Sequence, residues 1–207
     1  MKIFQRNIPP FQEKDIFSPI RDKAGYVKLL ALSARALLLE DNQKKSTTSH
    51  FRLIIDKMNR LFFYTTNKYF SISFPFNVTF DEKIKKISIY TYSGKEIDYK
   101  SISAIFSILQ SEQYKINSSL IDFYIEPGSI DADGLFILEE IFQFEPSYVR
   151  YDHDFEHEDK KRHPLNHLDI NYSSYGTFKL GLNKKISTVN FENMHDTNKD
   201  CLFVNER

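Results

Sequence analysis

A chain of 207 residues, 41% hydrophobic and 15% aromatic, is long enough for one domain with a real core, and 27% charged residues suits a soluble protein. No run of about 18 apolar residues is present, which argues against a helical membrane span. Lysine plus arginine equals aspartate plus glutamate at 28 each, without the positive excess of a dedicated nucleic-acid binder.

The opening MKIFQRNIPP lacks the apolar core of a secretory signal, and a single Cys201 leaves no internal disulfide, so the expected location is a reducing cytoplasm. Residues 1–70 carry 13 basic against 6 acidic side chains, leaving 15 against 22 for residues 71–207. Opposite signs at the two ends suit intramolecular docking, head-to-tail assembly or phosphate contact, and equally two solvated faces.

In chain order, Pro9, Pro10 and Pro19 predict an extended lead over the first eighteen residues. A helix is expected over 19–41, with Ser18 as cap, Pro19 in the first position and Asp22 complementing the dipole. Its buried stripe is Val27, Leu30, Ala31, Ala34, Leu37 and Leu38, and DNQKKSTTS at 41–49 reads as a loop. Residues 50–59 are ambiguous between helix and strand. Aromatic β-like segments follow at 61–66, 69–80 and 86–94, and strict alternation from Phe70 to Phe80 predicts a half-buried strand that Pro75 bends or moves to an edge. Residues 98–111 return to helical spacing behind an Asp98 cap. LIDFYIE at 120–126 reads as a strand and EPGSIDADG at 126–134 as a loop, without the spacing of a calcium-binding EF-hand. LFILEEIFQF at 135–144 reads as a strand in this aromatic setting, although its length permits a helix. After the turn YSSYG, GTFKLGL at 176–182 is a further strand, and the polar tail from Lys184 ends on CLFV.

The stretch RYDHDFEHEDKKRHPLNHLD, from Arg150 to Asp169, holds four of the six histidines, six carboxylates and Arg150. A period of two puts Arg150, Asp152 and Asp154 on one face of a strand, and His167, Asp169 and Asn171 on one face of the next. If the two strands pair antiparallel, opposite side chains lie about 5 Å apart, and Arg150, Asp152, His167 and Asp169 form one polar patch. The intervening FEHEDKKRH is then a solvated loop.

Three kinds of chemistry are open to these residues. His163, His167 and Asp169, with Asp152 or His153, are the right ligand types for a transition metal. Alternatively, His163 or His167 is a general acid or base, oriented by Asp152 or Asp169, while Arg150 stabilises charge on a phosphoryl group, as in metal-independent RNA cleavage. The third reading is structural: a mixed-charge loop, with Arg150 paired to Asp152 or Asp169. No nucleophile elbow and no glycine-rich phosphate loop is present.

The order Arg150-x-Asp152, a gap, His163-Pro164-x-x-His167 and a closing strand resembles the uncharacterised bacterial family named domain of unknown function 2290, over residues 134–182. More distantly, it is similar to the TumE-like toxins, in which an Arg-Tyr-Asp element precedes a His-rich one. The first resemblance implies no activity; the second implies a toxin acting inside the cell.

The expected fold is α+β, an aromatic-rich and mainly antiparallel sheet with two main helices. A lead and helix over 1–45 would pack on an α+β body over 46–207 that carries the patch, the two making one domain overall. The candidate catalytic residues are His167, His163, Arg150, Asp152 and Asp169. No organic cofactor is expected; a divalent metal is the alternative. The expected function is a phosphodiesterase or ribonuclease-like protein of a bacterial toxin or phage-defence system, acting on RNA or a nucleotide. The rival is a non-catalytic accessory subunit that binds a larger protein partner. No membrane partner is expected, and the oligomeric state is open.

Overall fold

The computed structural model describes residues 1–39, 49–57, 59–125, 128, 130–172, 175, 176 and 178–201. The expected loop at 41–49, save Ser49, and the expected CLFV terminus beyond Cys201 lie outside them. Along the chain come β1 (Lys2–Asn7), α1 (Pro10–Ile16), α2 (Lys23–Leu38), β2 (His50–Ile55), β3 (Arg60–Tyr64) and β4 (Lys68–Ser73). Then follow β5 (Asn77–Asp81), β6 (Lys86–Tyr90), α3 (Tyr99–Gln110), α4 (Glu112–Ile116), α5 (Ile121–Ile125) and α6 (Ala132–Phe142). The last elements are β7 (Val149–His153), β8 (Asn166–Ile170), β9 (Phe178–Gly181) and α7 (Thr188–Asn193). The class is α+β, with mainly antiparallel strands and the two predicted helices present as α2 and α3. None of the described helices is long and apolar enough to cross a membrane.

The chain forms two compact units, each assembled from separated segments. The first comprises Met1–Pro19, Lys45–Ser73 and Ser147–Arg207; the second comprises Ile20–Lys44 and Phe74–Pro146.

The first unit is built on a seven-stranded antiparallel sheet, in the order β1-β2-β3-β4-β7-β8-β9. One face buries an aromatic cluster of Phe62, Tyr64, Tyr69, Tyr151 and Leu168, closed by Phe191 of α7. Phe191 meets Phe62 edge-on, with ring centroids 6.2 Å apart. The opposite face carries Phe51, Leu53, Leu61, Phe63, Phe70 and Ile72, all buried, with Phe63 stacked on Phe70 at 4.3 Å. Strand β7 enters through Ser147, whose φ of 47° is costly for a residue with a Cβ. Buried Arg60 holds that corner, donating to the Ser147 carbonyl at 2.7 Å and hydroxyl at 3.0 Å.

The second unit joins α2 through α6 to the β5–β6 hairpin. Asp98 and Ser101 form a reciprocal capping box at the start of α3, as its sequence predicts. In α6, Leu135, Leu138 and Ile141 are buried, and the Gly134 end of the helix approaches α3 so closely that a Cβ there would lie 2.5 Å from the Ala104 Cβ and 2.8 Å from the Ser101 carbonyl oxygen.

Several expectations are corrected. The N-terminal lead is a strand followed by a helix, because Pro9 and Pro10 fall at the N-cap and N1 positions, where no intrahelical N–H is needed. The cap of α2 is Asp22, which accepts from the Gly25 amide at 2.7 Å, in place of Ser18. The alternating run 70–80 is broken around Pro75 into β4 and β5, which belong to different sheets. The segments read as strands at 120–126 and 135–144 are α5 and α6; the Asp131 side chain caps α6 by accepting from the Gly134 amide at 3.1 Å. Residues 50–55 are a strand, and the polar tail contains α7.

Two outcomes follow. Gly134→Ala should lower stability by about 1–2 kcal/mol despite the helix preference for alanine, because the α3 backbone must yield; an unchanged urea midpoint would contradict the close approach. His195, which donates through Nδ1 to the Phe191 carbonyl at 2.8 Å, has its pKa lowered from 6.5 to about 4 by burial and then by the Arg60 charge. The unfolded chain therefore takes up a proton that the folded chain refuses, so this contribution is complete above pH 6.5 and is lost as pH falls toward 4. It is on the order of 1–3 kcal/mol. Urea unfolding of His195→Phe should show a shallower pH dependence across that window than the unsubstituted protein; equal slopes would refute the assignment.

Candidate functional site

Antiparallel pairing of β7 with β8 sets Arg150 opposite Asp169 and Asp152 opposite His167. Strand β9 extends the row, with Lys179 opposite Asp169 and Gly181 opposite His167. Directly opposed residues share a face, so five polar side chains converge on one side of three adjacent strands. Their neighbours in sequence, Tyr151 and Leu168, point to the aromatic cluster on the other side.

Charge pairing organises the group. Arg150 donates through Nε to Asp152 Oδ2 at 2.7 Å and through Nη2 to the same oxygen; Nη2 also lies 3.7 Å from Asp169 Oδ2. Lys179 Nζ donates to Asp169 Oδ1 at 2.8 Å. Two cations and two carboxylates thus cancel, which is what allows Asp152 and Asp169 to be 2% and 6% exposed. Burial opposes the Arg150 charge, but Tyr148 and Asp152 outweigh it and keep the guanidinium protonated. Burial also raises the pKa of the Tyr148 hydroxyl, which hydrogen-bonds with Arg150.

His167 is wholly buried. Its Nδ1 lies 2.8 Å from the Pro164 carbonyl oxygen, which can only accept, so Nδ1 carries the proton. Nε2 then presents a lone pair, 3.9 Å from Asp152 Oδ2 and 3.9 Å from Asp169 Oδ2. Burial lowers the pKa of the imidazole, against the opposing effect of the Pro164 bond. Among the described residues, neither His167 Nε2 nor Asp152 Oδ1 has a hydrogen-bond partner, although both are buried. Gly181 permits the overlying turn: a Cβ there would come within 3.0 Å of the Pro164 ring.

Arg150, Asp152, His167 and Asp169 are therefore neighbours, while His163 stands apart from the carboxylates. It pairs with Asp159 in a short bridge, and its ring meets the His167 ring edge-on at 4.3 Å. Among the described residues, the group of potential metal ligands within 4.8 Å of one another is Asp152, His167 and Asp169, without His163 or His153. His153 faces Asn166, at 2.8 Å, and exposed His157 faces Asp154. Lys179 and Tyr148 are additions to the expected set. Nothing in GTFKLGL fixed the register that brings Lys179 to Asp169, whereas the period of two that joins Arg150 to Asp152 also puts Tyr148 on their face. Two cavities in this unit lie elsewhere, one lined by Arg60, Glu192 and His195 and the other by α1 with residues 65–68. The cluster's most exposed members are Lys179 and Arg150, with side chains 34% and 13% accessible.

Arg150→Met should cost about 3–5 kcal/mol in urea unfolding, since it strands buried carboxylate charge. Adding Asp152→Leu should recover part of that loss; additive losses would show that the two side chains are not coupled. Comparison of the chain with protein-family models, curated proteins and solved structures finds no match.

Proposed function

We propose that the β7–β9 cluster cleaves phosphodiester bonds, in RNA or a nucleotide, as part of a bacterial toxin or phage-defence system. One observation carries the chemistry: a guanidinium, an ammonium, an imidazole lone pair and two carboxylates meet on one face of adjacent strands. Arg150 and Lys179 offer positive charge toward the accessible edge, suited to phosphoryl oxygens. Asp152, His167 and Asp169 lie beneath them and supply the lone pairs that activate the attacking oxygen, either as bases or by holding a divalent ion that would activate it. The Arg-x-Asp and His-Pro-x-x-His spacing supports the biological setting through its resemblance to TumE-like toxins.

A second reading, a non-catalytic subunit, is favoured by β9. This outer strand of the sheet exposes Phe178 at 73% and Leu180 at 37%, apolar groups suited to a protein partner.

The test is cleavage of a fluorescent RNA oligonucleotide and of bis-p-nitrophenyl phosphate by the full chain, with Mg²⁺, Mn²⁺, Zn²⁺ or a chelator present. Activity should fall at least roughly 100-fold in His167→Ala and clearly in the more accessible Lys179→Ala, with circular dichroism unchanged. Intact substrates under every condition would overturn the enzyme; an accompanying complex lost in Phe178→Ser would establish the subunit.

A further inference from the structure

We propose that Asp152, His167 and Asp169 hold one divalent first-row metal ion, of which Mn²⁺ and Zn²⁺ suit the mixed nitrogen and oxygen donors. This deepens the phosphodiesterase reading by naming a cofactor for the same site, and it has a test independent of cleavage. Two buried atoms of the cluster, Asp152 Oδ1 and His167 Nε2, lack hydrogen-bond partners among the described residues. Both belong to side chains at least nine-tenths buried, and both are acceptors once His167 Nδ1 donates to Pro164. The third residue, Asp169, brings a carboxylate oxygen within 3.9 Å of the same Nε2. A water molecule placed among three lone-pair donors offers only two hydrogens and adds lone pairs of its own. A cation attracts all three.

The surrounding bonds are those a metal site requires. A metal-ligating imidazole is commonly oriented by donation from its other nitrogen to a backbone carbonyl, which the Pro164 contact provides. Arg150 grips Oδ2 of Asp152 and leaves Oδ1, while Lys179 grips Oδ1 of Asp169, so both carboxylates are held from outside the cluster. Metal–ligand distances of about 2.0–2.2 Å put neighbouring donors roughly 3.0–3.5 Å apart. One ligand atom from each of the three residues lies within 4.8 Å of the others, with Asp169 Oδ2 at 3.9 Å from Nε2, so the set needs to close by about 1–2 Å, which small side-chain rotations supply. With Arg150 and Lys179 already cancelling the two carboxylates, a bound divalent ion leaves a net charge of +2. An anionic phosphoryl ligand relieves that excess, so metal and phosphate should strengthen each other's binding.

The test uses the chelator-stripped full chain, titrated with Mn²⁺ or Zn²⁺ by calorimetry and assayed for bound metal. One equivalent should bind to the unsubstituted protein and to His157→Ala, with affinity reduced by more than about 100-fold in His167→Gln, beyond the loss of an outer-shell partner. No binding, or binding lost in His157→Ala and retained in His167→Gln, would overturn the site. Should His167→Gln fail to fold, X-ray absorption of the zinc-loaded unsubstituted protein decides: one imidazole in a shell of oxygens supports the assignment, and two or more place the ion on the loop histidines and refute it. Metal binding without RNA cleavage would retain this site while removing the enzyme; cleavage in chelator with no metal uptake would do the reverse.

Discussion

Everything distinctive about the sheet's β7–β9 end depends on one register, in which Arg150 faces Asp169 and Asp152 faces His167. A slip by one residue would turn Arg150 and Asp152 into the aromatic cluster and bring Tyr151 to the polar side. Neither outcome is tolerable, because an unpaired buried charge costs several kcal/mol. The same pairing that gathers the polar groups therefore also defends the strand alignment. Arg60 and the Asn171 amide, which donates to the Tyr148 carbonyl at 2.8 Å, reinforce it at the Ser147 corner, and the Asp154 amide closes the other end on the Leu165 carbonyl at 3.0 Å.

The two faces of the sheet divide the work. On β7, Tyr151 is anchored among Tyr69 and Leu168, while the side chains on either side of it in sequence build the ion network. The functional groups thus stand on strands fixed by an aromatic layer rather than on the long, exposed loop between them. That loop still contributes one atom of consequence, the Pro164 carbonyl, which fixes the imidazole's tautomer.

Much of this was legible in the sequence because a strand's period of two is insensitive to long-range context. Alternation alone placed Arg150 with Asp152 and His167 with Asp169, and the short connection made their pairing natural. It failed where identity depended on three-dimensional placement. His163 and His167 are four residues apart, but the turn through Pro164 leaves His163 meeting the group through the His167 ring, at 4.3 Å, while Asp152, His167 and Asp169 form the closest set of potential ligands among the described residues. Lys179 joined the group only through the register of β9, which sequence does not give. The apolar run around Leu135 lacks a clear period, so the helix there was marked mainly by Asp131 and Gly134, which resemble loop residues when read alone. The N-terminal prolines misled for the opposite reason: at a helix start the lost N–H costs nothing. The interleaving of two units leaves no compositional boundary to find.

At the centre is an imidazole whose proton is committed to one side, so that its lone pair faces two carboxylates. Long-range ¹H–¹⁵N correlation of the histidine rings in metal-free protein near pH 7 measures this directly. A neutral His167 with the proton on Nδ1 and a bare Nε2 is the predicted result; a proton on Nε2, or a fully protonated imidazolium, would contradict it.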